Sequence, residues 1–159
     1  MKITKKIASN DIYKIKDSGN FYPTIRREVQ VLYDNRCYTT CTVVIMCCLD
    51  AFAADKGEAG RSKFESFVQK NFLALCKCLD GTVPGKTGAE VLYDKYRNGF
   101  AHLFSPKSDF AIAQDSELDG RFVGRFEVEG TRRIIVALNV DRLIREFLEL
   151  VNRLEQVEV

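Results

Sequence analysis

From Cys37 to Ala54 the chain reads Cys-Tyr-Thr-Thr-Cys-Thr-Val-Val-Ile-Met-Cys-Cys-Leu-Asp-Ala-Phe-Ala-Ala, with Asp50 its only charged residue. Its apolar residues do not gather on one stripe. A helix apolar on most sides is stable only when neighbours cover it on most sides. Its most apolar part, Val43 to Ala54, is about a dozen residues and too short to cross a bilayer. The stretch therefore asks for a helical bundle built around it.

The rest of the chain supplies that bundle. Ile25, Val29, Leu32 and Tyr33 fall at helical spacing behind Pro23, and Asp34-Asn35-Arg36 interrupts before the central helix. Asp55-Lys56-Gly57 and Gly60 end that helix. Ser62 with Glu65 reads as a capping box opening a helix whose apolar residues, Phe64, Phe67, Val68, Phe72, Leu73 and Leu75, carry it to about Leu79. Thr87 with Glu90 reads as a second box, opening a helix through Val91, Leu92 and Tyr96 that stops at Ser105-Pro106-Lys107. Ser105 to Gly120 reads as loop with a short apolar patch at Phe110-Ala111-Ile112.

Then the period changes from helical to alternating. Arg121 to Val128 alternates, Arg132 to Leu138 is β-branched, and Glu129-Gly130 lies between them, which predicts a β-hairpin. Asn139 caps a last helix from Val140 to about Gln156, with a stripe of Leu143 or Ile144, Phe147, Leu148, Val151 and Leu154. Residues 1–21 carry excess lysine and read as an arm over the domain, with Ser18-Gly19-Asn20 a turn and Tyr22 kept out of helix by Pro23. The expected fold is one all-α domain over 1–159: four to five helices, with one hairpin at 121–138 before the C-terminal helix.

Several function classes lose ground on composition. The net charge of +2 lacks the bias of a dedicated nucleic-acid binder. The basic residues of the N-terminus precede no apolar run, so no secretory signal is read and a soluble cytoplasmic protein is expected. Six cysteines with one histidine and no paired C-x-x-C lack zinc-site spacing, so core packing is the expected role and neither metal nor cofactor is expected. Cys76 and Cys78 cannot share one helix face, so one of them should be exposed. Gly81-Thr82-Val83-Pro84-Gly85-Lys86-Thr87 is one residue short of a phosphate-binding P-loop and follows a helix rather than a strand, so it reads as a plain turn and cap.

That single histidine, His102, stands in Arg97-Asn98-Gly99-Phe100-Ala101-His102. No other unperturbed side chain titrates between pH 5 and 8, so proton-transfer chemistry would start there. At about 100° per residue, Asn98 and His102 are one turn apart and about 40° around the helix, so the amide can orient the imidazole. Arg97 lies about 140° from His102, so in a regular helix the two do not share a face.

Arginine, a polar residue, three more residues and histidine, on a helix that follows an apolar helix with a polar break before it, resemble the R-x4-6-H signature and layout of the HEPN superfamily. The resemblance covers residues 24–104 and the last helix. It implies an all-α bundle, usually a homodimer, often a metal-independent endoribonuclease, and in some members a toxin paired with an antitoxin; other members are inactive and bind nucleic acid or protein. It implies catalytic roles for Arg97 and His102, with Asn98 as the polar companion. Some toxin members carry a modified tyrosine two places after the histidine, where this chain has Phe104. A two-fold dimer would join two histidines and two arginines in one cleft. Lys95, Lys86 and Lys107 are the candidate RNA contacts. Two readings stay open: a homodimeric endoribonuclease acting on RNA, in a toxin–antitoxin or defence setting with an antitoxin as partner, or a non-catalytic binding module whose dimer face or hairpin recruits nucleic acid or a protein. A cysteine-based redox or metal sensor is a third.

Overall fold

The computed structural model describes residues 21–54 and 60–157. The expected arm, except for Phe21, and the Asp55-Lys56-Gly57 turn lie outside the described residues. Helix α1 spans Phe21–Asp34 and α2 spans Tyr38–Ala54. Tyr22 is helical after all: Pro23 constrains it, but α1 starts one residue earlier, and the Tyr22 ring lies 6.0 Å from Phe52.

The central element is α2, as the all-round apolar pattern requires. It packs against α1, against α3 (Arg61–Asn71), against α8 (Val140–Val157) and against the helix that carries the arginine–histidine pattern. Cys41, Ile45, Met46 and Leu49 are buried on it, and Phe52 stacks on Phe147 of α8 at 6.1 Å. Each such fully buried side chain is worth about 1.5–3 kcal/mol of transfer free energy. On α8 the buried set is Val140, Leu143, Ile144, Phe147, Leu150 and Val151, and an Arg26–Glu155 ion pair ties it to α1.

The single helix expected over 62–79 is two: α3 and α4 (Leu73–Leu79), broken at Phe72 with φ −127° and ψ 43°. The break lets Phe72 and Leu75 both reach the core, each at most 1 % exposed. The cap of α3 is Gly60, with no side-chain cap bond, and not the Ser62–Glu65 box; Glu65 instead accepts from Arg61 Nε at 2.6 Å. The Thr87–Glu90 box forms as expected: the Glu90 N–H donates to Thr87 Oγ1 at 3.3 Å and the Thr87 N–H to Glu90 Oε2 at 2.8 Å. It opens α5 (Gly88–Val91), which continues as a π-helical turn (Leu92–Arg97) and then α6 (Asn98–Leu103). Gly88 is required at this start, because a Cβ there would lie 1.8 Å from the Cys76 carbonyl oxygen.

The hairpin is part of a larger sheet. Strands β1 (Phe110–Ala113), β2 (Val123–Glu127) and β3 (Ile134–Asn139) lie in the order β1-β3-β2, with β1 parallel and β2 antiparallel to β3. The Phe110-Ala111-Ile112 patch, read as loop, is thus a strand, and the short helix α7 (Asp115–Leu118) follows it. Fully buried Asn139 joins the parts: its Oδ1 accepts from the Arg142 N–H at 3.0 Å, capping α8 as expected, while Nδ2 donates to Asp115 Oδ1 and the Arg121 carbonyl, both at 2.8 Å. Tyr96, buried between helices and sheet, donates to the Val136 carbonyl at 3.1 Å.

Two cysteines, Cys37 and Cys47, depart from the core-packing expectation, while the Cys76–Cys78 pair splits into one buried and one exposed thiol as expected. Cys37, Cys47 and Cys78 are exposed, whereas Cys41 and Cys76 are buried and Cys48 is half-buried. Burial pushes the thiols of Cys41, Cys48 and Cys76 up to about 12, which leaves them protonated and unreactive near neutral pH. Among the described residues no three His, Cys, Asp or Glu side chains converge as a metal site, and no helix is long and apolar enough to cross a membrane.

The π turn is pinned from outside by Asp94, which pairs with Lys86 and with Arg61 Nη1 at 3.1 Å. Partial burial would raise the Asp94 carboxyl, but the Lys86 hydrogen bond and the Arg61 charge outweigh it and hold it below its usual value. A depressed carboxyl stabilises the fold above its unfolded pKa, about 3.9, and loses that contribution as pH falls through the lower folded value. Asp94→Asn should therefore lower stability at pH 7 by about 1–2 kcal/mol in urea titrations. The gap to the unsubstituted protein should close below about pH 4.

Candidate functional site

Arg97 ends the π turn, and its side chain is held from two sides. Its guanidinium donates through Nη2 to Asp50 Oδ2 at 2.5 Å and through Nη1 to Asn98 Oδ1 at 3.0 Å. It also lies 5.3 Å from the centroid of the Tyr93 ring, which has Arg61 at 5.5 Å and the Phe64 ring at 5.4 Å. The one charge on the apolar central helix thus meets the motif arginine. The two side chains are 16 % and 25 % exposed, so each charge is only partly solvated and needs the other. Partial burial would lower the arginine's pKa, but the Asp50 hydrogen bond and charge more than compensate, and it stays raised.

Around this pair is a small recess of about 40 Å³, lined by Val43, Met46, Cys47, Phe100 and Ala101 besides Asp50 and Arg97. Its exposed walls are almost wholly apolar. Asp50 and Asn98 use two of the five N–H donors an arginine carries.

His102 is placed differently. It is exposed on the last turn of α6, and its side chain has no hydrogen bond or ion pair with any described residue. Asn98, expected to orient it, serves the arginine instead. The long guanidinium folds back onto its neighbour and takes the amide oxygen that the imidazole would have used. The helix is distorted, but upstream of Asn98; from Asn98 to Leu103 it is α-helical, so the divergence of Arg97 and His102 persists. One chain does not bring the two together.

Downstream, Phe104 takes a left-handed conformation at φ 53° and closes the helix; it is 70 % exposed, and Leu103 beside it 62 %. The loop then folds back over the helix at Gly99. A Cβ there would sit 2.5 Å from the Ser105 carbonyl oxygen and 2.9 Å from the Lys107 nitrogen, and the Lys107 N–H donates to the Lys95 carbonyl at 2.8 Å. Glycine at the third place of the motif is thus a packing requirement.

The three lysines are engaged separately. Lys86 is held by Asp94, Lys95 lies 5.5 Å from the Phe110 ring centroid, and Lys107 is on the loop that covers Gly99. Asp50 and Tyr93, which fix the arginine, escaped the sequence reading as site residues. The signal for Asp50 was present: it is the lone charge in eighteen residues and had to find a cation. Comparison with known protein families, curated proteins and solved structures finds no match to the chain.

Removing the anion should cost more than removing the pair. Asp50→Ala should destabilise the protein by about 1–3 kcal/mol, seen as a lower urea midpoint at unchanged slope, because a half-buried guanidinium loses its partner. Adding Arg97→Met to that variant should restore part of the loss.

Proposed function

We propose that the protein is a HEPN-type endoribonuclease that acts as a homodimer and cleaves RNA without a metal ion. The observation that carries this reading is a division of labour on one short helix: an arginine held rigidly with donors to spare, and a histidine free of any described partner. Cleavage within RNA needs a base to take the 2′-hydroxyl proton, an acid to protonate the departing 5′-oxygen, and a cation for the charge on the phosphorus oxygens. In the dimer, His102 of one protomer is the base and its symmetry mate is the acid, and each is worth about 10²–10⁴ in rate. Arg97 supplies the fixed positive charge. The 2′-oxygen bonds to phosphorus as the 5′-oxygen leaves, which gives a cyclic phosphate and a free 5′-hydroxyl.

A two-fold axis beside α6 would answer two features at once. It would set two histidines across one cleft, and it would cover Leu103 and Phe104, which are too apolar to stand open side by side without consequence. Phe104 stands where some family toxins carry a modifiable tyrosine, so antitoxin control by that route is not part of the reading.

One observation favours a second reading, a non-catalytic HEPN-like module that recruits nucleic acid or a protein partner. The Arg97 charge is matched by Asp50, so the pair is neutral as a whole. The readings separate in one experiment. The purified protein should cut single-stranded RNA in excess EDTA, and His102→Ala should reduce that rate by at least about 10²-fold with the fold intact. Full activity in His102→Ala would sink the enzyme reading; absent cleavage with intact binding in both proteins would select the module.

A further inference from the structure

Lys95 is two residues from Arg97 and so points to the other side of the helix. There a groove of about 280 Å³ opens between the Thr82-Val83-Pro84 turn, Lys95 and the exposed end of the sheet. The sheet register builds its floor. Val136 of β3 is paired with Phe110 of β1 on one side and with Arg125 of β2 on the other, so the three side chains stand in one rung on one face. Val136 is buried, whereas Ile134, two residues back on the same face, is 46 % exposed and lines the groove mouth.

The charges in this groove do not balance. Asp109 on the rim is spent on Arg133. Lys95 and Arg125 have no anionic partner among the described residues, and Glu127, next along the same face of β2, pairs with neither. Two uncompensated cations therefore project over an apolar floor, with the Ser108 hydroxyl, itself without a described partner, on the wall. The volume sits at the lower end of small-ligand pockets, which begin near ~300 Å³. It suits one compact body.

We infer that this groove binds a small phosphate monoester with a flat or apolar body. A monoester carries about −1.5 to −2 charges near neutral pH, which matches Lys95 and Arg125. Arginine takes phosphate oxygens through its forked donors and lysine takes them as a point charge. The body packs on Ile134, Val83 and Pro84, where it displaces water from apolar surface. This site is separate from the Arg97–His102 helix face and does not depend on the ribonuclease reading.

The test is calorimetric titration of the full chain with phenyl phosphate, inorganic phosphate and phenol under one buffer. Phenyl phosphate should bind at least about tenfold more tightly than either fragment, since charge and apolar contact act together. Lys95→Met and Arg125→Met should each weaken phenyl phosphate by about tenfold. Ile134→Ala should weaken phenyl phosphate and leave inorganic phosphate unchanged. Arg125 and Ile134 are exposed, so these two variants keep the test valid if Lys95→Met fails to fold. Absence of binding at millimolar phenyl phosphate, equal affinity for phenyl phosphate and phosphate, or affinity unchanged in the Arg125 and Ile134 variants would each overturn the site.

Discussion

The structure turns on a single carboxylate in an apolar helix. Asp50 lies on the helix that the bundle is built to bury, and a carboxylate left half-desolvated without a cation would cost several kcal/mol. Arg97 meets that demand, 47 residues later in sequence. The pair sets how the arginine-bearing helix is rotated against α2, because only one side of it can offer a guanidinium to Asp50. Tyr93, set between Arg97 and Arg61, carries the same constraint on to α3. An arginine that serves catalysis in the proposed reading is therefore first a structural residue, and the rigidity that makes it a good electrostatic anchor follows from the same bond.

The π turn is what lets one helix satisfy several such demands. Over Leu92–Arg97 the helix buries Leu92 and Tyr96, sends Asp94 outward to Lys86 and Arg61, sets Lys95 over Phe110 and brings Arg97 to Asp50. A wider turn changes the angle between successive side chains, and such turns often stand at functional sites. Below it the chain returns to α-helix and ends quickly, with the Ser105–Lys107 loop laid against Gly99. The helix thereby presents two chemically different sides: a neutralised arginine in a small apolar recess, and an uncompensated lysine over a larger groove.

Much of this order was legible in the residues, and the limits of legibility have physical causes. The helices α1, α2 and α8 and the Thr87 and Asn139 caps could be read because burial and capping leave local, periodic traces. The break at Phe72 could not, because phenylalanine suits both a helix interior and a core, and only the shape of the core decides between them. Strand β1 was hidden for another reason. It has four residues and pairs in parallel with β3, more than twenty positions away, so no local turn announces it. The hairpin, joined by a tight turn at Glu129-Gly130, was plain. At the site, Arg97 and His102 were conspicuous as residue types, but their partners were not. Asn98 faced a choice between the two, and the guanidinium, with more donors and a fixed position, took it.

The placement of His102 bears most directly on how such a chain could act. An imidazole without partners at a helix end is poorly oriented, and acid–base catalysis depends on orientation to within a fraction of an ångström. Within one protomer nothing described supplies that orientation, and the natural candidate, Asn98, is already engaged. A second protomer can supply it, because packing against Leu103 and Phe104 would stiffen the same helix end that carries the histidine. In the proposed dimer, association and catalysis are then the same event: the apolar contact that drives pairing also positions the base. Weakening that contact would lower the rate per dimer as well as the fraction of dimer, whereas loss of a surface lysine would lower only substrate binding. That coupling separates a site assembled between two chains from one completed within a single chain.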